Sequence, residues 1–207
     1  MSMNFPLHHP AVQALIHADD RLAQWIRVIG PISLPDPPMD EAHGLAEMIV
    51  AQQLSGKVAV VIWERVMNRF GQPLDWTRIT QATIEELRIL GLSRGKAIYL
   101  QQLALKIIQE PHFFHDLSNK SDEYVINELV KLKGIGPWTA HMYLMFVLHR
   151  LDVVAGGDLG LRQSLERLYH LPQPINDVQF ETLTRHLEPY RTLASLYLWR
   201  AHEQKLP

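Results

Sequence analysis

Apolar residues recur at three- and four-residue steps along almost the whole chain, the period of helices that bury one face. Leu54, Val58, Val61, Ile62, Val66 and Phe70 form one such stripe. Leu45, Met48, Ile49 and Gln52 form another just upstream, and Ser55-Gly56 separates the two. Ser55 suits the N-cap of the second helix, which leaves Gln53 and Leu54 in a tight connection. Thr83-Ile84-Glu85-Glu86 has the form of a capping box, and Gly91 stops that helix after about two turns. Ser93 caps the next helix, which runs towards Gln109 and ends before Pro111. A helix is predicted from Ser121-Asp122 to Lys133-Gly134, and its successor from about Pro137 to Arg150. Only residues 152–155 read as extended, and they lead into Gly156-Gly157. Asp158 opens a helix to about Tyr169, Pro172 and Pro174 break the chain, and a helix over about 176–186 follows. Pro189 falls in the first turn of a final helix. An N-terminal helix ends near Ile29, and residues 31–38, rich in proline, read as a connector. The pattern predicts an all-α fold.

Composition narrows the chemistry. Among 207 residues there is no cysteine, which excludes disulfides, thiolate zinc sites, iron–sulfur clusters and a cysteine nucleophile. The apolar run from Met142 to Leu148 is far too short to span a bilayer, and the N-terminus lacks the charged start of a secretory signal. The chain is therefore expected in the cytoplasm and away from membranes. A formal charge of −2 argues against coating nucleic acid broadly. His112-Phe113-Phe114-His115-Asp116 has metal-compatible spacing but follows a proline without further ligands, and reads as a surface loop.

The most informative segment is residues 129–140, which carry Gly134-Ile135-Gly136-Pro137 between two predicted helices. Glycine tolerates left-handed backbone angles and close approach of another backbone. Amides opening the second helix then face outward beside the positive end of its dipole, a geometry suited to phosphate. A bare Gly-x-Gly is also what an ordinary helix connection uses. The longer string Leu132-Lys133-Gly134-Ile135-Gly136-Pro137-Trp138-Thr139-Ala140 is more specific. Asp158 follows two glycines and, taken alone, is a good helix N-cap.

These residues resemble the helix-hairpin-helix DNA glycosylase superfamily, whose members add a Gly/Pro-rich loop and an aspartate. Gly156-Gly157-Asp158-Leu159-Gly160 occupies that position. Ala51-Gln52-Gln53-Leu54-Ser55-Gly56-Lys57, Gly91-Leu92-Ser93 with Lys96-Ala97, and Pro189-Tyr190-Arg191 through Leu198-Trp199 resemble its alkylated-base branch, and within it the 3-methyladenine DNA glycosylase II family. The resemblance implies excision of alkylated purines from damaged double-stranded DNA, leaving an abasic site, by a monomer that needs no cofactor and, if bacterial, associates with the nucleoid. Asp158 would stabilise the positive charge that develops on the sugar and align the attacking water. Lyase-active relatives such as endonuclease III carry a lysine just before the threonine of the hairpin. Trp138 stands there, and Lys133 lies on the other side of the hairpin, so no lyase step is expected.

An alkylated purine is cationic and should stack on electron-rich rings. By resemblance Trp138 and Trp199 fall in the base pocket, whereas Met142 stands where a tyrosine is usual; Trp25, Trp63 and Trp76 read as core. A side chain of the Gln53-Leu54-Ser55 turn would fill the gap left by the extruded base. Lys57, Lys133, Arg162, Thr139 and the hairpin glycines Gly134 and Gly136 are the expected DNA contacts. The resemblance also implies a sodium or potassium ion held by the carbonyls of Val130, Leu132 and Ile135. One superfamily unit over 1–207 is expected, with one lobe from about 1–35 plus 145–207 and another from about 40–144. Two other readings stay open: the same fold acting on deaminated or etheno bases, and a non-catalytic module that only grips DNA.

Overall fold

The computed structural model describes residues 3–171 and 174–206; Pro172, expected to break the chain, lies outside them. The described residues are mainly helical, and the chain divides into two compact units, Met1–Asp36 with Leu144–Pro207, and Pro37–Tyr143. Among the described residues no helix is long and apolar enough to cross a membrane.

The first unit opens on β1 (Met3–Phe5), α1 (Pro10–Ala18), α2 (Asp20–Ile29) and β2 (Ile32–Leu34). The two strands pair antiparallel, Met3 opposite Leu34 and Phe5 opposite Ile32, so part of the expected proline-rich connector is a strand. The single N-terminal helix is in fact two, because Asp19 adopts an extended conformation between them. Its carboxylate accepts the N–H groups of Arg21 and Leu22 at 2.8 and 2.9 Å, which starts α2. The unit continues with α11 (Leu159–Leu168), α12 (Asp177–Arg185) and α13 (Arg191–Gln204). α13 is buried along Leu193, Ala194, Tyr197, Leu198 and Ala201, and packs on α1, α2 and α11. Residues 152–155 form no strand. Side chains at the start of α13 satisfy this backbone instead: Val153 N–H donates to Thr192 Oγ1 at 3.0 Å, and that hydroxyl donates to the Arg150 carbonyl at 2.6 Å.

The second unit contains α3 (Glu41–Ala51), α4 (Gly56–Phe70), α5 (Trp76–Gln81), α6 (Ile84–Ile89), α7 (Arg94–Gln109), α8 (Phe113–Ser118) and α9 (Asp122–Leu129). α7, capped by Ser93, buries Ala97, Leu100, Leu103 and Ala104 and packs against α3, α5 and α6. The capping box of Thr83 and Glu86 forms, but α6 is only six residues long. α4 buries Ala59, Ile62, Trp63, Val66 and Phe70, whereas Val58 and Val61 are exposed. At 100° per residue Val61 lies about 160° round the helix from the middle of the buried face, so the apolar stripe is wider than the surface it meets. Trp25 and Trp63 are buried, and Trp76, on the first turn of α5, is half-buried. The His112–Asp116 segment is not a surface loop: α8 occupies it and buries Phe114 and Leu117. No group of His, Asp and Glu among the described residues could hold a metal ion.

Two boundaries fall short of the pattern. α9 ends at Leu129, where the N–H groups of Lys131 and Leu132 turn back to the carbonyls of Glu128 and Leu129. α10 (Pro137–Phe146) ends before a left-handed His149, and the Arg150 N–H closes on the Leu144 carbonyl at 2.9 Å. Tight turns thus replace the last helical turn expected in each.

Asp19 is the polar joint of the first unit. It is buried, and besides its two amides it accepts the Tyr169 hydroxyl and lies 3.0 Å from His186 Nε2. Burial pushes its carboxyl pKa up, but the hydrogen bonds from Tyr169, Leu22, His186 and Arg21 outweigh this and hold it below the ordinary value of 3.8. The unfolded chain therefore binds the proton more readily, so this contribution is complete above about pH 5 and is lost as pH falls below about 4. Asp19→Asn should lower stability by about 1–3 kcal/mol at pH 7. Denaturant titrations should show that difference shrinking towards pH 3; a difference constant with pH would remove the ionised joint.

Candidate active site

The hairpin lies in the second unit. Gly134 has φ +87, and a Cβ there would lie 2.2 Å from the Tyr99 ring. A side chain there would have to displace the Tyr99 ring. Its carbonyl accepts Gln52 Nε2 at 2.9 Å, which ties the hairpin to the end of α3. Gly136 differs: a Cβ there meets nothing within 4 Å, and its φ is not left-handed. Nothing in the chain itself demands glycine at 136, so the open space is available to a ligand's backbone. α10 begins here, its first bond running from Ala140 N–H to the Gly136 carbonyl at 3.0 Å. The amides of the preceding turn are at the positive end of the helix.

Trp138 is 47 % exposed, Thr139 and Met142 are buried, and Lys133 is exposed. Gln53, Trp138, Thr139 and Gly134 border one cavity of about 480 Å³, into which Lys96 and Tyr99 also face. In the turn before α4, Gln53 is exposed with φ 56, Leu54 is half-buried, and Ser55 and Lys57 are exposed. Ser55 is the N-cap by position, but its side chain makes no capping bond.

In the first unit Asp158 caps α11, its Oδ1 accepting Leu161 N–H at 2.9 Å. The same oxygen accepts Trp199 Nε1–H at 3.0 Å, and Trp199 stacks on Phe146 with centroids 6.2 Å apart. Gly160 makes room for this contact, since a Cβ there would lie 3.2 Å from Asp158 Oδ1 and 3.5 Å from Trp199 Cδ1. Arg162, expected at a DNA phosphate, is a brace. Its guanidinium donates to the carbonyls of Gly156 and Ile175 at 2.6 and 2.7 Å and to Asp177, and it lies over Phe180. It therefore fixes the glycine loop to α12.

The match to known proteins is broad. Residues 46–189 fit the family described as HhH-GPD superfamily base excision DNA repair protein. The chain belongs to this superfamily. It is 34 % identical to a DNA-3-methyladenine glycosidase from Bacillus halodurans, whose crystal structure superposes with a TM-score of 0.84 over 96 % of this chain and 92 % of that one. A Schizosaccharomyces pombe 3-methyladenine DNA glycosylase, solved in complex with abasic DNA, is 27 % identical with a TM-score of 0.78, covering 92 % of this chain and 97 % of that one. The DNA-3-methyladenine glycosylase of Saccharomyces cerevisiae is 36 % identical over 65 % of this chain. This HhH-GPD chain spans only 48 % of that yeast protein, and 58 % of a Bacillus subtilis relative 33 % identical to it.

Gln52, Lys96, Gly160 and Phe146 carry geometry that the sequence reading did not assign. Gln52 and Lys96 lie in the strings that resemble the superfamily, but their partners are distant in sequence and leave no local signal.

The two hairpin glycines make opposite predictions. Gly134→Ala should destabilise the protein by about 2 kcal/mol or more, because it adds both a strained φ and a clash with Tyr99. Gly136→Ala should leave the melting temperature unchanged and weaken binding to duplex DNA by about tenfold. Thermal melts with binding isotherms test this, and equal effects on both quantities would contradict it.

Proposed function

We propose that this protein is a DNA glycosylase that extrudes an alkylated purine of the 3-methyladenine and 7-methylguanine class from duplex DNA and hydrolyses its glycosidic bond. An abasic site is left for the rest of base excision repair. The observation that carries the reading is the Asp158 carboxylate, fixed through one oxygen by Leu161 and Trp199 at the end of a glycine loop, in a chain of this superfamily. As the bond from sugar to base breaks, its electron pair leaves with the cationic purine and positive charge develops on the sugar. A carboxylate already fixed in place stabilises that charge without reorganising, and orients water for attack. The names of its relatives favour methylated purines over deaminated or etheno bases.

No lyase step belongs to this proposal. Trp138 offers no amine at the hairpin position where lyase-active relatives carry lysine, and Lys133 is on the opposite arm of the turn. The reading includes a monovalent cation, which the carbonyls of Val130, Leu132 and Ile135 would hold. Leu132 already accepts Ile135 N–H at 3.1 Å, and a carbonyl has a second lone pair. Such an ion would add positive charge beside a bound phosphate.

A panel of duplexes carrying methylated, deaminated and etheno bases tests the function. Release of 3-methyladenine and 7-methylguanine is expected; release of the other lesions alone would overturn the substrate class. Asp158→Asn should slow release on the order of 100-fold or more with DNA binding retained. Near-normal release would remove Asp158 from catalysis. Borohydride should trap no covalent adduct, and a trapped adduct would establish a lyase.

A further inference from the structure

The turn between α3 and α4 is held from two sides. Lys96 is only 9 % exposed, and its ammonium donates to the Val50 carbonyl in the last turn of α3 at 2.8 Å. Burial pulls the ammonium pKa down, as it must for a cation whose protein acceptor is a neutral carbonyl. Two residues on, Gln52 donates to the Gly134 carbonyl. Between these anchors and Ser55 lies Gln53, a non-glycine residue with φ 56. A left-handed angle costs such a residue roughly 1–2 kcal/mol and persists only where neighbours impose it. The same turn, the start of α7 and the hairpin border one cavity.

A helix C-terminus can be satisfied by water or by a local turn, and needs neither a buried lysine nor a bond across 82 residues. The bond to Gly134 instead joins the turn to the segment proposed to grip the DNA backbone. We infer that Gln52 and Lys96 are positioning residues: Gln52 locks the Gln53 turn to the hairpin, and Lys96 locks the end of α3 beneath that turn to α7. Backbone capture by the hairpin would then set the depth at which the Gln53-Leu54-Ser55 turn enters the duplex. The inference rests on the base-excision reading of the same site.

The test uses the whole chain with Gln52→Glu, which replaces the donor by an acceptor of equal size, Lys96→Met, which keeps the stem, and Lys96→Arg, which keeps a donor. Duplexes with an abasic site report binding, and duplexes with 2-aminopurine report unstacking without any need for excision. Gln52→Glu and Lys96→Met should bind within about threefold of wild type, yet reduce the unstacking equilibrium by about tenfold, the effect of one lost hydrogen bond to a strained turn. Lys96→Arg should restore most of it. Should Lys96→Met melt early, Gln52→Glu carries the test, because Gln52 is only half-buried. Unchanged unstacking in the variants, or loss of binding and unstacking in step, would overturn the inference, and so would a wild type that unstacks nothing. A wild type that unstacks the probe through Gln52 and Lys96 but releases no methylated purine would leave the positioning role standing and sink the excision reading.

Discussion

Helix α13 governs the geometry of the first unit because it holds one loop at two points. At its start Arg191 pairs with Asp152 through two N–H groups at 2.9 and 3.0 Å, and Thr192 takes up the backbone at Arg150 and Val153. Eight residues later, roughly 12 Å along the axis, Trp199 reaches Asp158. A rigid helix thereby spaces both ends of the stretch from 150 to 158. Ser164 adds a third tie, its hydroxyl donating to the Leu198 carbonyl at 2.8 Å and fixing α11, which Asp158 caps. The loop has few regular hydrogen bonds of its own, so this scaffold decides where the carboxylate stands.

The glycines divide by the same logic. Gly134 and Gly160 are packed by neighbours inside their own unit: a Cβ would clash with the Tyr99 ring in one case and crowd Asp158 and Trp199 in the other. Gly136 and Gly157 have nothing within 4 Å of where a Cβ would be. Each motif thus pairs a glycine that lets the chain pack with one that leaves space open. A motif read as a string treats all four alike, and only the surroundings separate packing from access.

Much of the fold was legible because local rules act locally. The caps expected at Thr83, Ser93 and Asp158 all bond amides of their helices, and Ser121 and Asn176 cap helices that the pattern starts there. The superfamily and the all-α class followed from strings of adjacent residues. What was illegible involves partners far apart in sequence. Val58 and Val61 read as core because hydrophobic periodicity does not report how wide the opposing surface is. Residues 152–155 read as a strand because Thr192, 39 residues away from Val153, supplies the bond a neighbouring strand would have given. Arg162 read as a phosphate contact because Gly156, Ile175 and Asp177 converge on it only after α11 and α12 fold.

The bond between Trp199 and Asp158 has a further consequence for the proposed chemistry. An aromatic platform for a cationic purine and a carboxylate for the sugar are usually counted as separate requirements. Here the indole N–H donates to the carboxylate oxygen at 3.0 Å, and the ring is backed by Phe146, so the two groups are tied together. A base stacked on that ring would be placed relative to the carboxylate by the protein's own geometry. Such prior placement lowers a barrier by removing motions that a reaction in water must freeze. Binding energy from stacking, largest when the purine is cationic, would then be converted into alignment at the sugar. On the proposed function, selection for alkylated bases and acceleration of their release would become one property of one hydrogen-bonded pair, and the modest overall charge of −2 would be no handicap to a grip that local.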